Sequence, residues 1–305
     1  MFPTPLVRLA LLACLLLSSV AVASEKAILD PEARFHPVVS RGGMVVSQEM
    51  IASKVGADIL TRGGNAIDAA VATGFALAVT LPRAGNIGGG GFMLIHLAEE
   101  DRTLAIDYRE MAPAAAYKDM FLDAEGDVDN LRARFSIHSS GVPGTVAGLI
   151  YALDNYGKLS LKEVLQPAID LAREGFEVSV DLSESLQARQ KTLKKDPASR
   201  AYFYKPDGSG YQPGEVLAQP DLAKTLNRIA AKGRAGFYQG ETADLLIAQM
   251  QRNNGLMSLE DLANYKVVER TPVCGIYRDN KVCAMPPPSS GGVHMIQMLN
   301  ILEGW

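Results

Sequence analysis

The sequence is short of several features that would assign it to a common class of protein. Its 305 residues include three cysteines, four histidines and no excess of basic charge, because 34 Asp and Glu outnumber 30 Lys and Arg. The net charge of −4 argues against a nucleic-acid-binding protein, which normally presents a basic face. The histidines are scattered and the cysteines lack zinc-site spacing, so we predict no metal site. An apolar content of 48% excludes a disordered chain.

Common catalytic and nucleotide-binding motifs are absent as well. The chain has no G-x-S-x-G, no H-E-x-x-H and no G-x-x-x-x-G-K-[ST]. Four consecutive glycines occupy residues 88–91, with a helical pattern before them and a strand pattern after them. A dinucleotide-binding fingerprint has the opposite order, so that the phosphate meets a helix N-terminus. We therefore predict no nucleotide site and no cofactor.

The first 23 residues have the pattern of a secretory signal peptide. A single charge, Arg8, precedes an apolar run over residues 9–17 and a small-residue end at residues 21–23. The apolar run is shorter than the roughly 20 residues of a membrane span, which makes a retained anchor helix the weaker alternative. A lipoprotein-like stretch ending at Cys14 is a second alternative. We expect residues 24–305 to be exported to the periplasm or beyond, with no membrane attachment after cleavage.

Two cysteines remain after that cleavage, and both lie in a predicted hairpin. Cys274 and Cys283 flank residues 278–281, whose composition is typical of a turn. A hairpin would bring the sulfur atoms to neighbouring or diagonal positions, so a disulfide is expected in an oxidising compartment. Two unpaired buried thiols are the alternative, because the sequence does not fix the strand register.

Helical and strand patterns alternate along the rest of the chain, which predicts a continuous α/β domain with a helical layer. Strands are predicted over residues 44–47, 92–97 and 103–109, and helices over residues 49–62, 66–80, 144–156, 160–173 and 293–302. Asn65, Ser160 and Ser258 are predicted helix caps. Residues 189–217 are rich in Lys, Asp, Pro and Gly, which predicts an exposed irregular segment.

Arg109 ends a predicted strand on the same face as Asp107. A guanidinium at a strand end can bind a carboxylate through two parallel hydrogen bonds. The residues alone favour the commoner role, an ion pair with Asp107, Glu110 or another acid.

Two loops allow both a structural and a functional interpretation. The glycines at residues 88–91 either let a buried helix pack closely on the sheet or contact a substrate directly. Ser289 and Ser290, in the proline-rich stretch at residues 286–292, either cap the following helix or line a site.

Four motifs, in this order, resemble the γ-glutamyltransferase family: residues 63–70 (GGNAIDAA), 85–93 (GNIGGGGFM), 107–113 (DYREMAP) and 286–292 (PPPSSGG). Residues 141–148 and 261–265 match more weakly. The resemblance implies an N-terminal-nucleophile hydrolase with a four-layer αββα core, made as a precursor that cleaves itself into a large and a small subunit. It implies cleavage of the γ-glutamyl amide of glutathione, with Arg109 binding the α-carboxylate and the acyl group passing to water or to an amino acid or peptide.

The family's nucleophile, a Thr in a Thr-Thr-His motif, has no counterpart in this sequence. The resemblance therefore implies a partial large subunit whose partner is the small subunit, and a core that is incomplete in this chain. Two alternatives stay open: a related acylase that cleaves cephalosporin or glutaryl side chains, and a non-catalytic fragment.

Overall fold

The computed structural model describes residues 39–304, and the elements below all belong to a compact unit that begins at Gly43. The predicted signal peptide and Cys14 lie outside the described residues. Residues 44–47, predicted as a strand, form none. Their polar groups are bonded locally instead: the Ser47 N–H donates to Ser53 Oγ at 3.0 Å, and the Ser47 hydroxyl donates to the Glu49 carbonyl at 2.8 Å.

Two successive helices form the start of the unit, as predicted. Helix α1 spans Met50–Thr61 and ends before Gly63, and helix α2 spans Ala66–Thr80. Asn65 caps α2 in a reciprocal capping box with Asp68, so the predicted cap is confirmed. Helix α2 is buried over most of its surface and packs against α1 and two later helices, which makes it the centre of the core.

The main sheet has three antiparallel strands: β1 at Phe92–Leu97, β2 at Arg102–Asp107 and β5 at Val268–Arg270. Their order in the sheet is β1-β2-β5. Strands β1 (Phe92–Leu97) and β2 (Arg102–Asp107) form the predicted hairpin, whose turn contains a short 3₁₀ helix at Ala98–Glu100. Strand β5 (Val268–Arg270) pairs with the other edge of β2.

Helices form most of the remaining chain. Their bounds are α3 Asn130–Phe135, α4 Thr145–Tyr156, α5 Leu161–Glu174, α6 Val180–Leu193, α7 Pro197–Phe203, α8 Pro220–Lys232, α9 Ala235–Tyr238, α10 Glu241–Arg252, α11 Leu259–Asn264 and α12 Gly291–Leu302. Helices α4 and α5 pack against α2, and α4 also contacts β2. The capping boxes predicted at Ser160 and Ser258 are present. None of the described helices is both long and apolar enough to cross a membrane.

The segment at residues 189–217 is more ordered than predicted. Helix α6 continues to Leu193, Asp196 caps α7, and β4 (Val216–Leu217) pairs with β3 (Phe176–Glu177). The prediction of an irregular segment was wrong here because polar composition outweighed a local signal, a capping Asp followed by Pro at the first helical position.

The fold is α/β. Residues 39–304 contain a three-stranded sheet with a helical cover and two further pairs of strands. Strands β6 (Val273–Tyr277) and β7 (Asn280–Ala284) form a separate hairpin, against which α12 packs.

Candidate substrate-binding site

Arg109 lies two residues beyond the end of β2, on the wall of a cavity of about 580 Å³. Three segments of the chain form this cavity: the glycine loop before β1, the segment that follows β2, and the segment before α4. Its polar lining is Asn86, Arg109, Glu110, His138, Ser139 and Ser140. The cavity is therefore mixed in character, with one cation and one anion side by side on the same segment.

The Arg109 side chain is exposed and makes no ion pair within residues 39–304. The ion pair favoured from the residues alone is therefore wrong for the described part of the chain. Asp107 is engaged elsewhere, because its Oδ2 accepts a hydrogen bond from Arg270 Nε at 2.8 Å. An exposed guanidinium on a cavity wall is available to an anionic ligand.

Side chains hold the backbone of Arg109 on both sides. The Arg109 N–H donates to Asp107 Oδ1 at 3.1 Å, and the Arg109 carbonyl accepts from the Tyr265 hydroxyl at 2.9 Å. Asp107 and Tyr265 are only 7% and 2% exposed. The position from which the guanidinium projects is therefore fixed, although the guanidinium itself is exposed.

The residue before Arg109 explains the glycines around it. The Tyr108 N–H and carbonyl pair with Gly91, at 3.0 and 3.2 Å, so the sheet ladder continues one residue past each strand. A Cβ at Gly90 would lie 2.6 Å from the Tyr108 carbonyl oxygen, and one at Gly91 would lie 2.8 Å from the ring. Cβ atoms at Gly144 and Gly148 would overlap the same residue. Burial of the Tyr108 ring raises the pKa of its hydroxyl to about 12.

The glycine run allows close packing, although against Tyr108 at the end of β2 rather than between a helix and the sheet, and direct contact with a substrate stays a prediction. Gly90 and Gly91 allow close packing, whereas Gly88 and Gly89 line the cavity. The Gly89 carbonyl also accepts the N–H groups of Gly144 and Thr145, at 2.8 and 3.0 Å, which satisfies donors at the start of α4.

Two residues from residues 261–265 hold the segment around Arg109. Asp261 Oδ1 accepts the Ala114 N–H at 2.8 Å, and Tyr265 holds Arg109 as described. Both lie in the weakly matching motif at residues 261–265, which is the sequence signal for Tyr265, whereas Asp261 is predicted only as the capping partner of Ser258. Met111 is fixed by paired backbone hydrogen bonds with Val142.

The remaining predicted residues lie apart from the Arg109 cavity. Ser290 precedes α12 without a capping hydrogen bond from its side chain, whereas Ser289 Oγ accepts the Gly291 N–H at 3.3 Å. Neither serine lines the cavity. A site-lining role for these serines stays a prediction.

Cys274 and Cys283 are directly opposite each other in the β6-β7 hairpin, and their sulfur atoms are bonded in the structure. The described residues contain no group of three or more His, Cys, Asp or Glu side chains arranged to hold a metal ion.

Comparison with known proteins places this geometry in a family. The family model described as gamma-glutamyltranspeptidase matches residues 52–305. The glutathione hydrolase proenzyme of Escherichia coli (strain K12) is 52% identical over 272 residues, covering 89% of this chain and 47% of that protein. The acylase ACY 1 proenzyme of Pseudomonas sp. (strain V22) is 43% identical over 275 residues, covering 88% of this chain and 49% of that protein.

Solved structures agree with the sequence matches. The crystal structure of Helicobacter pylori gamma-glutamyltranspeptidase superposes with a TM-score of 0.86 at 47% identity, covering 88% of this chain and 77% of that chain. The cephalosporin acylase of Bacillus halodurans superposes with a TM-score of 0.76 at 29% identity, covering 92% and 53%. The chain spans about half the length of the curated relatives it matches. It belongs to the gamma-glutamyltranspeptidase family.

Proposed function

We propose that this chain is the substrate-orienting part of a glutathione hydrolase and γ-glutamyltransferase. The enzyme would cleave the γ-glutamyl amide of glutathione and pass the acyl group to water or to an amino acid or peptide. The observation that carries the proposal is the Arg109 guanidinium, which is exposed on a cavity wall and forms no ion pair with any residue of 39–304, while its backbone is fixed. Glutathione hydrolase proenzymes among the relatives support the choice of substrate.

In the proposed site, Arg109 binds the α-carboxylate of the γ-glutamyl group. Its planar donors match the two carboxylate oxygens, and a charge-assisted pair of this kind is stronger than a neutral hydrogen bond. Fixing the carboxylate end of the substrate sets the direction in which the γ-carbonyl carbon lies. The chain's contribution to catalysis is therefore orientation of the substrate before bond cleavage.

The covalent step needs a nucleophile from outside this sequence. By family resemblance it is the N-terminal Thr of the small subunit, whose own amine takes the hydroxyl proton as the oxygen attacks the γ-carbonyl. The small subunit is therefore the proposed protein partner. We expect this chain alone to show no turnover.

The test joins this chain to the part of the E. coli relative that lies beyond the match. The self-cleaved chimera should release p-nitroaniline from γ-glutamyl-p-nitroanilide, whereas the chain alone should not. Arg109→Ala should raise KM by about 10- to 100-fold, because it removes a charge-assisted hydrogen-bonded pair. Arg173→Ala, which removes exposed ion pairs with Asp170 and Glu174, is the matched control and should leave KM unchanged.

Turnover by the chain alone would contradict this proposal, and so would an Arg109→Ala chimera with an unchanged KM. A chimera that cleaves itself yet shows no turnover would favour the non-catalytic fragment.

An acylase that cleaves cephalosporin or glutaryl side chains is the second candidate, supported by the acylase relatives. Arg109 would bind the distal carboxylate of a glutaryl group equally well. The two candidates differ in the α-ammonium group, which only the γ-glutamyl substrate carries. Comparing kcat/KM of the chimera for γ-glutamyl-p-nitroanilide and glutaryl-p-nitroanilide distinguishes them.

We propose further that residues 1–23 direct the protein to the periplasm or the extracellular space. The paired cysteines of the β6-β7 hairpin support an oxidising compartment. N-terminal sequencing of the exported protein should begin at Ser24, and recovery of uncleaved protein in the membrane fraction would contradict this proposal.

A further inference from the structure

The hydroxyl of Tyr265 reaches the backbone of Arg109 from a distant part of the sequence. Tyr265 directly follows α11, and its hydroxyl donates to the Arg109 carbonyl at 2.9 Å across a separation of 156 residues. Tyr265 is 2% exposed, and burial is the main cause that raises the pKa of its hydroxyl. The group is therefore a protonated hydrogen-bond donor at neutral pH.

The bond from Tyr265 complements the bond from Asp107. Asp107 accepts the Arg109 N–H, which lies in the peptide group before the residue, and Tyr265 donates to the carbonyl, which lies in the peptide group after it. These two peptide groups define φ and ψ of Arg109, and so the direction of its Cα–Cβ bond. The Asp107 contact is local, within two residues, whereas the Tyr265 contact fixes the segment relative to α11.

Tyr265 is itself held at three points. The guanidinium of Arg234 donates to the Tyr265 carbonyl, and the Tyr265 ring stacks on Tyr238 with centroids 5.9 Å apart and planes 12° apart. Gly144 leaves the space for the hydroxyl, because a Cβ there would overlap it. Because the ring, the carbonyl and the hydroxyl of Tyr265 all have close contacts, Tyr265 has little freedom to move if the backbone of Arg109 shifts.

We propose that Tyr265 is a positioning residue for carboxylate recognition, acting through the Arg109 carbonyl to set where the guanidinium projects into the cavity. The inference rests on the proposed function of Arg109 and adds a second residue to that function. Tyr265 does not line the 580 Å³ cavity, so it acts through the backbone of Arg109 rather than on the ligand.

The first test uses this chain without a ligand. Tyr265→Phe keeps the stacked ring and removes the hydroxyl, so hydrogen exchange of the Met111 amide, whose N–H donates to the Val142 carbonyl at 3.2 Å, should become faster by about threefold to tenfold. Tyr204→Phe is the matched control, because Tyr204 is 3% exposed and its hydroxyl also donates to a backbone carbonyl, that of Leu186, at 2.6 Å. The control should leave exchange of the Met111 amide unchanged. Equal exchange rates in both variants would overturn the proposal.

The second test uses the self-cleaved chimera and γ-glutamyl-p-nitroanilide. Tyr265→Phe should raise KM about threefold to tenfold with kcat within twofold, and Tyr204→Phe should change neither. In an Arg109→Ala background, Tyr265→Phe should add no further increase in KM, because the hydroxyl acts only through that guanidinium.

Additive effects of the two substitutions on KM would overturn the positioning role of Tyr265 and leave the role of Arg109 intact. An Arg109→Ala variant with unchanged KM would instead overturn the proposed function, so the two failures are distinguishable.

Discussion

The Tyr108 ring lies against Gly148 of helix α4, in space that a Cβ at Gly148 would occupy. This contact joins the end of strand β2 to the helix that covers it, one residue before Arg109. It sets how closely helix and strand approach.

Gly148→Ala should therefore destabilise the protein. Alanine normally favours a helix by about 1 kcal/mol over glycine, but overpacking against a buried aromatic ring costs about 1–3 kcal/mol, and the ring has no room to move. We expect a lower free energy of unfolding in urea. Gly210→Ala is the control, because Gly210 has open space at the Cβ position and its substitution should change little. A Gly148→Ala variant more stable than the parent would contradict the packing described.

Asp68→Asn should destabilise the junction between α2 and the start of α5. The Asp68 side chain is fully buried, and its oxygens accept N–H groups from Asn65, Lys158 and Leu159 at 2.7–3.1 Å. An amide nitrogen in place of one oxygen would face these donors. We therefore expect the free energy of unfolding to fall by about 2–3 kcal/mol, which urea unfolding would measure.

Asp129 supplies the control for that experiment. It is a helix cap whose Oδ1 accepts two N–H groups at the exposed start of α3. Asparagine caps helices about as well as aspartate, so Asp129→Asn should change stability little. Equal losses in the two variants would show that burial of Asp68 is not the cause.

Alkaline pH should destabilise the protein through its buried tyrosines. Burial raises the pKa of Tyr108 to about 12, whereas an unfolded tyrosine titrates near 10. The unfolded chain therefore loses this proton first, and the stability present below about pH 10 falls as pH rises towards 12, by at most about 1.4 kcal/mol per pH unit.

Tyr108→Phe removes that contribution. Between pH 10 and 11, the free energy of unfolding in urea should therefore fall less for this variant than for the parent. Tyr117→Phe, at an exposed position, should follow the parent. Parallel curves for the parent and Tyr108→Phe would contradict the raised pKa.

Reduction of the disulfide in the β6-β7 hairpin should destabilise the region around α12. Cys274 and Cys283 close a loop with a sequence separation of 9, and such a closure contributes about 2–3 kcal/mol through the entropy of the unfolded chain. Non-reducing peptide mapping should recover the two cysteines in one linked species. Hydrogen exchange in α12 should become faster in the Cys274→Ser, Cys283→Ser double variant. Two separate thiol peptides in unreduced, exported protein would contradict the pairing.

Local signals explain which parts of the fold were predictable. The caps at Asn65, Ser160 and Ser258 and the β1-β2 hairpin depend on residues within a few positions of one another, and all were predicted. The strand expected at residues 44–47 did not form. An apolar run does not reveal whether a neighbouring strand is available to pair with it, and for that reason the sequence prediction failed here.

The surroundings of Arg109 depend on distant partners. The prediction that Arg109 binds a substrate carboxylate depends on the DYREMAP motif, whereas that motif does not show which residues surround Arg109. The Arg270 side chain, which donates a hydrogen bond to Asp107, is 163 residues from Asp107 in the sequence. Tyr265 is 156 residues from Arg109. No spacing rule connects residues so far apart, so the sequence favours an ion pair at Arg109 that the described part of the chain does not form.

The fixed backbone at Arg109 has a consequence for the chemistry that this family scaffold could accept. Asp107 and Tyr265 bond to main-chain atoms of residue 109, which every amino acid except proline supplies, so their two hydrogen bonds do not require arginine. The side chain at position 109 can change without loss of either bond. A single substitution there to an uncharged residue, other than to proline, would therefore change the charge of the cavity wall while both hydrogen bonds remain.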